Sequence, residues 1–178
     1  KRTIDIVYTA EELDVYRESP WGTTNRVQKE GLEFGKEEYD EIDKYCKKQK
    51  IFWYASCWDI DSQLQMQRFK TKYNKVASAM LVHYKLLEIV AKEKKYTFIA
   101  TGMSTLKDIE KAVKIFRKYK CPFELLHCHS SYPMPLEEAN LNAIPFLKKK
   151  FKCKVGYSGH ESSASNVCIP AVMLGATS

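Results

Sequence analysis

The chain has 178 residues, of which 44% are hydrophobic and 29% charged, the proportions of a globular domain. Its net charge of +7 admits nucleic acid or an anionic metabolite as a partner, but no RNA-binding signature accompanies the lysines, so nucleic acid ranks low. No apolar run reaches the roughly 20 residues that cross a bilayer, and no signal-peptide pattern opens the chain, so we expect a cytoplasmic protein without a membrane partner. The first residue is Lys1, not methionine, which suggests that the native N-terminus is missing. The six scattered cysteines form no CxxC pair, which argues against a zinc ribbon or a disulfide scaffold.

Along the chain, a polar segment at 9–31 comes first and is predicted to be a long loop. Short apolar runs then predict five strands, at 51–57, 74–78, 96–101, 123–128 and 154–158. Helical periodicity separates these runs. It predicts two apolar helix faces, formed by Tyr39, Ile42 and Cys46 and by Leu106, Ile109, Val113 and Phe116. Thr105–Asp108 resembles a capping box, Asp59 is a candidate helix cap, and lysine runs mark the predicted helix ends.

Buried strands alternating with amphipathic helices predict an α/β fold with a parallel sheet. No GxGxxG or P-loop motif follows any strand, which removes the commonest signatures of an open doubly wound sheet. A closed (β/α)₈ barrel needs eight strands and about 250 residues. The five strands therefore indicate either an open sheet or a fragment of a barrel.

Polar residues follow every predicted strand. They are Ser56; Lys75 and Ser78; Thr101 and Gly102; His127, His129, Ser130 and Tyr132; and Ser158, Gly159 and His160. In a parallel barrel these residues converge on the C-terminal face, and an open sheet also binds ligands beyond its strand ends. The location of a site at the strand ends is therefore the same in both architectures.

Lys75 lies inside an otherwise apolar strand, where an unpaired ammonium is costly. It is a candidate anion ligand or Schiff-base nucleophile, and the alternative is a lysine that reaches the strand end or pairs with a core carboxylate. His160 is either a metal ligand, an acid–base group or a loop histidine that bonds backbone. His127 is predicted to face the helices as a core histidine, and His129 and His83 are weaker candidates.

Several segments occur in the order and spacing of the N-acetylneuraminate (sialic acid) synthase family, which the chain resembles. These segments are Asn74–Ser78, Thr101–Met103, Leu126–Pro133, Asn140–Ile144 and Gly156–His160. The resemblance implies that residues 1–178 are part of a single (β/α)₈ (TIM) barrel domain, with the five predicted strands as barrel strands three to seven. It also implies that the first two strands, the last strand and a C-terminal antifreeze-like domain lie outside this sequence.

The resemblance implies a transferase of carbohydrate biosynthesis. Members condense phosphoenolpyruvate with N-acetylmannosamine or a related N-acylated hexosamine, and a divalent metal, Mn²⁺ or Mg²⁺, assists. C3 of phosphoenolpyruvate attacks the open-chain aldehyde, water adds at C2, and phosphate leaves by C–O cleavage. The complete proteins are commonly homodimers.

By matched position, the resemblance assigns His160 as a metal ligand and, with Lys75, as a catalytic residue. It assigns the phosphate of phosphoenolpyruvate to Lys75, Ser78, Ser130 and Ser158. Ser56 falls where the carboxylate is bound, and Tyr132 falls on a tyrosine that contacts the sugar.

Three positions depart from the pattern of some bacterial members. Ser130 replaces an asparagine, Ala100 replaces a serine that donates to the ligand, and Met80 replaces a glutamate that binds the sugar. The family's second metal histidine, in a Glu-Arg-His segment, is expected beyond Ser178. An acidic residue and a lysine of the first two strands are expected before Lys1.

Four alternatives stay open from the sequence. Legionaminic and pseudaminic acid synthases use the same scaffold, so the sugar is undetermined. A different aldolase or lyase barrel would use Lys75 to form a Schiff base. A non-catalytic barrel remnant would serve only in binding or assembly.

Overall fold

The computed structural model describes residues 2–178, with side chains from Ile4 onward. It divides into two compact units: residues up to Trp53 together with 58–71, and residues 54–57 together with 72–178. No helix in the described part of the chain is both long and apolar enough to cross a membrane. No disulfide forms among the six cysteines, all of which lie within the described residues. That residues 1–178 belong to a single catalytic domain stays a prediction.

The first unit is mostly helical and contains one two-stranded antiparallel hairpin. Its elements are α1 (Arg2–Val7), α2 (Ala10–Asp14), β1 (Tyr16–Ser19), β2 (Gly22–Thr24), α3 (Asn25–Leu32), α4 (Lys36–Gln49) and α5 (Ile60–Met66). The prediction of a long loop at 9–31 is wrong, because local polar contacts order this segment. Thr9 caps α2 in a capping box, and the Thr24 hydroxyl accepts the Val27 amide at the start of α3.

An aromatic cluster packs within the first unit against α4. Trp53 stacks on Tyr39 with ring centroids 6.0 Å apart and contacts Phe69 edge-on at 5.2 Å. On the same helix Cys46 is buried and Ile42 is half-buried. The predicted apolar face of α4 is thus confirmed, as is the Asp59 cap, whose carboxylate accepts the amide of Ser62 at 2.8 Å.

The second unit is an α/β layer built on four parallel strands in the order β3-β4-β5-β6. Its elements are β3 (Tyr73–Val76), α6 (Tyr84–Lys92), β4 (Tyr96–Ala100), α7 (Leu106–Lys118), β5 (Phe123–His127), α8 (Ala143–Phe151), β6 (Lys154–Tyr157) and α9 (Ala164–Met173), with short 3₁₀ turns at Ser78–Met80 and Leu136–Glu138. Four of the five predicted strands are therefore confirmed, each within one or two residues of the predicted bounds.

The predicted strand at 51–57 is wrong, because this segment joins no strand ladder in the described part of the chain. Side-chain packing holds its second half instead. The ring of Tyr54 stacks on Phe98 with centroids 6.0 Å apart and meets Tyr73 edge-on at 6.3 Å. The apolar, aromatic composition of the run therefore reflects ring packing rather than backbone pairing.

The register of the parallel sheet sorts side chains into two faces. One level of paired residues carries Lys75, Phe98, Glu124 and Lys154. The next level points to the opposite face and consists of fully buried aliphatic residues, namely Val76, Ile99, Leu125 and Val155. One face of the sheet thus has a buried aliphatic layer, and the other carries the charged residues of the strands, Lys75, Glu124 and Lys154.

Glu124 forms a buried polar network on that second face. Its carboxylate accepts hydrogen bonds from Tyr96 Oη, Thr177 Oγ1 and Ser178 Oγ, each at 2.7 Å. Burial and the adjacent carboxylate raise the pKa of Tyr96, so this phenol stays a donor. The backbones of Thr177 and Ser178 also bond to β6, at 3.0 and 2.8 Å. The network therefore fixes the chain after α9 beside the sheet.

Helix α7 shows how local signals and packing combine. The predicted capping box is present: the Thr105 hydroxyl accepts the Asp108 amide, and the Asp108 carboxylate accepts the Thr105 amide. Ile109 and Phe116 are buried, but Leu106 is 41% exposed, so its assignment to the buried face is wrong. Helical side chains point toward the helix N-terminus, and Leu106 is the first residue of α7, so it projects past the helix end.

Lysines follow several of the helices, and the predicted lysine runs lie at the ends of α4, α6 and α8. Five of them adopt the left-handed conformation at or just after a helix or 3₁₀ turn, with φ between 47° and 56°: Lys50, Lys70, Lys94, Lys120 and Lys152. Glycine is the usual residue in this conformation. The lysines place positive charge where it favours the helix dipole but carry a backbone cost.

We expect Ile109→Ala to lower the free energy of unfolding by about 2–5 kcal/mol, because it leaves a cavity in the buried face of α7. Leu106→Ala in the same helix is the matched control and should change it by only about 0.5 kcal/mol. Denaturant unfolding of the full-length protein measures both. Equal losses would contradict the exposed position of Leu106.

Candidate active site

The carboxyl ends of the four parallel strands lie side by side. Pairing continues just beyond the strands, because the amide of Thr101 bonds to Leu126 O at 3.0 Å and the amide of Ser158 bonds to His127 O at 2.9 Å. The loops that follow β3, β4, β5 and β6 therefore start from one edge, where parallel α/β proteins place their ligands.

Three of these loops meet at Gly102. Its amide N–H, in the loop after β4, donates to both Ser78 Oγ and Cys128 Sγ at 3.2 Å. Ser78 follows β3, Cys128 follows β5, and their side chains are 3.1 Å apart. The amide thus holds a hydroxyl and a thiol from neighbouring loops against each other.

Ser130 completes this cluster and explains the glycine. A methyl group on Gly102 would lie 2.8 Å from Ser130 Oγ and 3.0 Å from both Ser78 Oγ and Cys128 Sγ. The first distance is shorter than real Cβ contacts and the other two are very tight, so a larger residue would have to displace these side chains. We call Ser78, Gly102, Cys128 and Ser130 the hydroxyl cluster.

The floor of the hydroxyl cluster is apolar. Ala100, Leu126 and Cys128 form a buried group with Phe98 packed against it. Ala100 supplies no side-chain hydrogen-bond donor to the cluster. Hydrogen bonds strengthen in such a low-dielectric setting. The cluster could therefore donate several hydrogen bonds from uncharged groups to an anion, above a buried apolar layer.

Lys75 is the sequence-predicted candidate for the positive charge that an anion site would use. It is half-buried in β3, on the same sheet face as Phe98, and no carboxylate among residues 4–178 forms an ion pair with it. Ser56 and Ser158 are also half-buried. No direct hydrogen bond within the described chain joins these three side chains to the hydroxyl cluster. The structure thus brings Ser78 and Ser130 together and leaves the other predicted phosphate ligands separate.

His160 lies in the loop after β6 under the ring of Tyr132. The two rings stack with centroids 3.8 Å apart and an interplanar angle of 27°, and Tyr132 is 77% exposed. Nδ1 of His160 is buried and has no hydrogen-bond partner among the described residues. An orphaned ring nitrogen fits a metal-ligand position, because burial without a partner is otherwise costly.

A complete metal site is not present in the described chain, where no group of three His, Cys, Asp or Glu side chains is arranged to hold an ion. His160 therefore fits one ligand of such a site. The other ligands would have to come from elsewhere in a longer protein or from substrate.

The remaining histidines have structural partners. His127 Nε2 lies 2.8 Å from the carbonyl of Ala139, as expected for a core histidine. His129 Nε2 lies 3.0 Å from a carboxylate oxygen of Glu138, within the loop that carries Ser130. His83 caps α6. These contacts hold the loops around the site.

Cys128 and the Gly102 amide are site groups that the sequence analysis did not assign. A signal for Cys128 exists, because it is two residues beyond Leu126 and so falls on the same sheet face. Met80 closes the 3₁₀ turn that begins at Ser78 and is half-buried.

Several known proteins resemble this chain in sequence. The family model described as NeuB family matches residues 2–178. N-acetylneuraminate-9-phosphate synthase of Drosophila melanogaster is 33% identical over 88% of this chain and 42% of its own length. N,N'-diacetyllegionaminic acid synthase of Campylobacter jejuni is 33% identical over 84% of this chain and 45% of its own length.

A solved structure is similar as well. The crystal structure of N-acetylneuraminic acid (sialic acid) synthetase from Leptospira borgpetersenii superposes with a TM-score of 0.77 at 36% identity. It matches 81% of this chain and 50% of its own length. The chain thus spans half or less of the length of each of these three proteins.

The parallel strands, their intervening helices and the polar strand ends define part of a (β/α)₈ barrel of the synthase type. The match over residues 2–178 is specific: the chain belongs to the NeuB family.

We expect Tyr132→Ala to move the His160 ring-proton resonances downfield, because the shielding by the stacked ring is lost. Tyr132→Phe keeps an aromatic ring and should leave them nearly unchanged. NMR of the full-length protein, labelled at histidine, measures this effect, and His127 serves as the internal reference. Unmoved His160 resonances in Tyr132→Ala would contradict the stack.

Proposed function

We propose that this chain is the central part of the catalytic barrel of a sialic acid synthase-type transferase. The complete enzyme would condense phosphoenolpyruvate with N-acetylmannosamine or a related N-acylated hexosamine, giving a nonulosonic acid and phosphate. The observation that carries the proposal is the hydroxyl cluster at the strand ends, with Lys75 on the adjacent strand. The named activities of the two synthase relatives support it.

The hydroxyl cluster would bind the phosphate of phosphoenolpyruvate. Ser78 and Ser130 supply hydroxyl donors, and the Gly102 amide points at the same place. Lys75 would supply the compensating charge, and charge-assisted bonds of this kind are about twice as strong as neutral ones. Ser158 would add a donor from β6, and Ser56 would meet the carboxylate of the substrate.

The condensation needs C3 of phosphoenolpyruvate held against the aldehyde carbon of the open-chain sugar. After C3 attacks, water adds at C2, and the C–O bond to phosphate breaks. Residues that grip the phosphate in both the substrate and the intermediate would keep C3 in line for attack. Tyr132, whose ring is exposed and stacks on His160, would contact the sugar.

His160 would hold a divalent metal, Mn²⁺ or Mg²⁺, together with ligands outside the described residues. When bound, such an ion polarises the aldehyde oxygen as a Lewis acid. The stacked Tyr132 ring would limit rotation of the imidazole. We further propose that the full-length protein is a cytoplasmic homodimer.

The sugar is the least defined part of the proposal. Relatives include synthases of N-acetylneuraminate 9-phosphate, of diacetyllegionaminic acid and of pseudaminic acid. Met80 would place a thioether where a carboxylate binds the sugar in some family members. A thioether cannot accept the strong hydrogen bonds that a carboxylate accepts from hydroxyls, so we expect a change in sugar preference.

Assays of the full-length protein with phosphoenolpyruvate and a panel of N-acylated hexosamines test the function. We expect metal-dependent phosphate release with at least one sugar, because the proposed reaction breaks the C–O bond to the phosphate of phosphoenolpyruvate. The panel should contain N-acetylmannosamine, its 6-phosphate and diacetylated deoxyhexosamines. Absence of phosphate release with every sugar would overturn the proposal.

Replacing Lys75 by alanine should raise the Michaelis constant for phosphoenolpyruvate about tenfold or more, since a hydrogen bond to a charged group contributes about 1.5–3 kcal/mol. Lys85→Ala removes an exposed lysine of α6 and is the matched control. Steady-state kinetics at saturating sugar measure both variants. Equal Michaelis constants in Lys75→Ala and Lys85→Ala would remove Lys75 from the anion site.

A further inference from the structure

Glu161 follows His160, and its side chain closes the loop after β6. The carboxylate accepts a hydrogen bond from Tyr157 Oη at 2.9 Å through one oxygen. It accepts a second from Cys168 Sγ at 3.1 Å through the other. Tyr157 is the last residue of β6 and Cys168 lies in α9. One carboxylate therefore ties both ends of the loop that carries Ser158 and His160.

Gly159 shows how tightly the loop folds over this carboxylate. A Cβ atom on Gly159 would overlap both carboxylate oxygens and lie 2.7 Å from Glu161 Cδ. The backbone between Ser158 and His160 therefore runs directly over the Glu161 side chain.

The protonation states of Glu161 and of its two donors favour these hydrogen bonds. Burial raises the pKa of Glu161, but hydrogen bonds from Cys168, Tyr157 and backbone amides outweigh it, so the pKa lies below the ordinary value. Burial and the bond to Glu161 raise the pKa of Tyr157. The pKa of the Cys168 thiol is also raised, mainly by its hydrogen bond to Glu161 and then by burial. At neutral pH the acceptor is charged and both donors keep their protons.

We propose that Glu161 is a positioning residue that sets Ser158 and His160 for phosphate and metal through its bonds to Tyr157 and Cys168. The inference rests on the proposed function, because it assigns those two ligands their tasks. Glu161 itself touches neither substrate nor metal. Its role is that of the outer groups that orient a ligating histidine, whose loss typically weakens metal binding about 10–100-fold.

The first experiment measures Mn²⁺ binding by calorimetry, without substrates, in full-length protein. Glu161→Gln keeps the shape but loses one acceptor, so we expect Mn²⁺ affinity to fall about tenfold or more. Cys168→Ala, which removes one donor, should weaken it less. Cys168→Ser keeps a donor and should stay near the wild type. Equal loss in Cys168→Ser and Cys168→Ala would overturn the role of the hydrogen bond.

His160→Ala separates this inference from the proposed function. If His160→Ala binds Mn²⁺ like the wild type, the metal role in the proposed function fails. If His160→Ala loses binding while Glu161→Gln binds normally, the function stands and the positioning role of Glu161 is overturned. The expected result is loss in both.

Alkylation of Cys168 by iodoacetamide gives a readout that general destabilisation would not produce. Removing the negative charge of Glu161 should lower the pKa of the Cys168 thiol, so the pH midpoint of its alkylation should fall. Cys153 is the internal control, because burial is the main cause of its raised pKa. Peptide-resolved mass spectrometry follows both thiols. A Cys168 midpoint unchanged in Glu161→Gln, or one that falls equally at Cys153, would contradict the direct contact.

Discussion

The hydrogen-bonded register of the four parallel strands is the constraint on which the candidate site depends. It places Lys75, Phe98 and Glu124 at one level of one face and fully buried aliphatic residues on the other. It also brings the loops after the strands to a common edge. A slip of one residue in any strand would exchange its two faces. The apolar core thereby enforces the position of the polar groups.

Two glycines shape the loops at this edge. Each leaves room for the side chain of a neighbouring residue. Gly102 donates its amide to a hydroxyl and a thiol, and its missing Cβ leaves room for the Ser130 hydroxyl beside them. Gly159 lets the chain cross over the Glu161 carboxylate. In both loops the missing Cβ is replaced by heteroatoms from elsewhere. Backbone and side chains are thus packed closely together in both loops.

The sequence predicted those parts of the fold in which local pattern and packing agree. Strands β3 to β6, the Thr105 capping box and the Asp59 cap follow from apolar runs and short-range polar spacing. The strand prediction at 51–57 failed because aromatic residues are common both in strands and in clusters of packed rings. Only the ring contacts of Tyr54 in the structure show which of the two applies.

The sequence predicted where the candidate site lies, but it did not predict most of the side-chain contacts within it. Ser78 and Ser130 follow strands and do meet at the sheet edge. Cys128 escaped notice because a buried cysteine usually serves as a small apolar residue. Glu161 could not be recognised, because its partners Tyr157 and Cys168 come together only after β6 and α9 have packed. Contacts between distant elements carry no local signature.

The lysines in the left-handed conformation affect the stability of the fold but lie outside the candidate site. Each of these backbone conformations costs roughly 1 kcal/mol in a residue other than glycine. Five such positions lie at helix ends rather than among the polar strand ends, at Lys50, Lys70, Lys94, Lys120 and Lys152. The chain therefore holds a reserve of stability that single exchanges to glycine could release, at the expense of one positive charge each. Substitutions at these five positions could therefore raise the thermal stability of the protein while the residues of the candidate site stay unchanged.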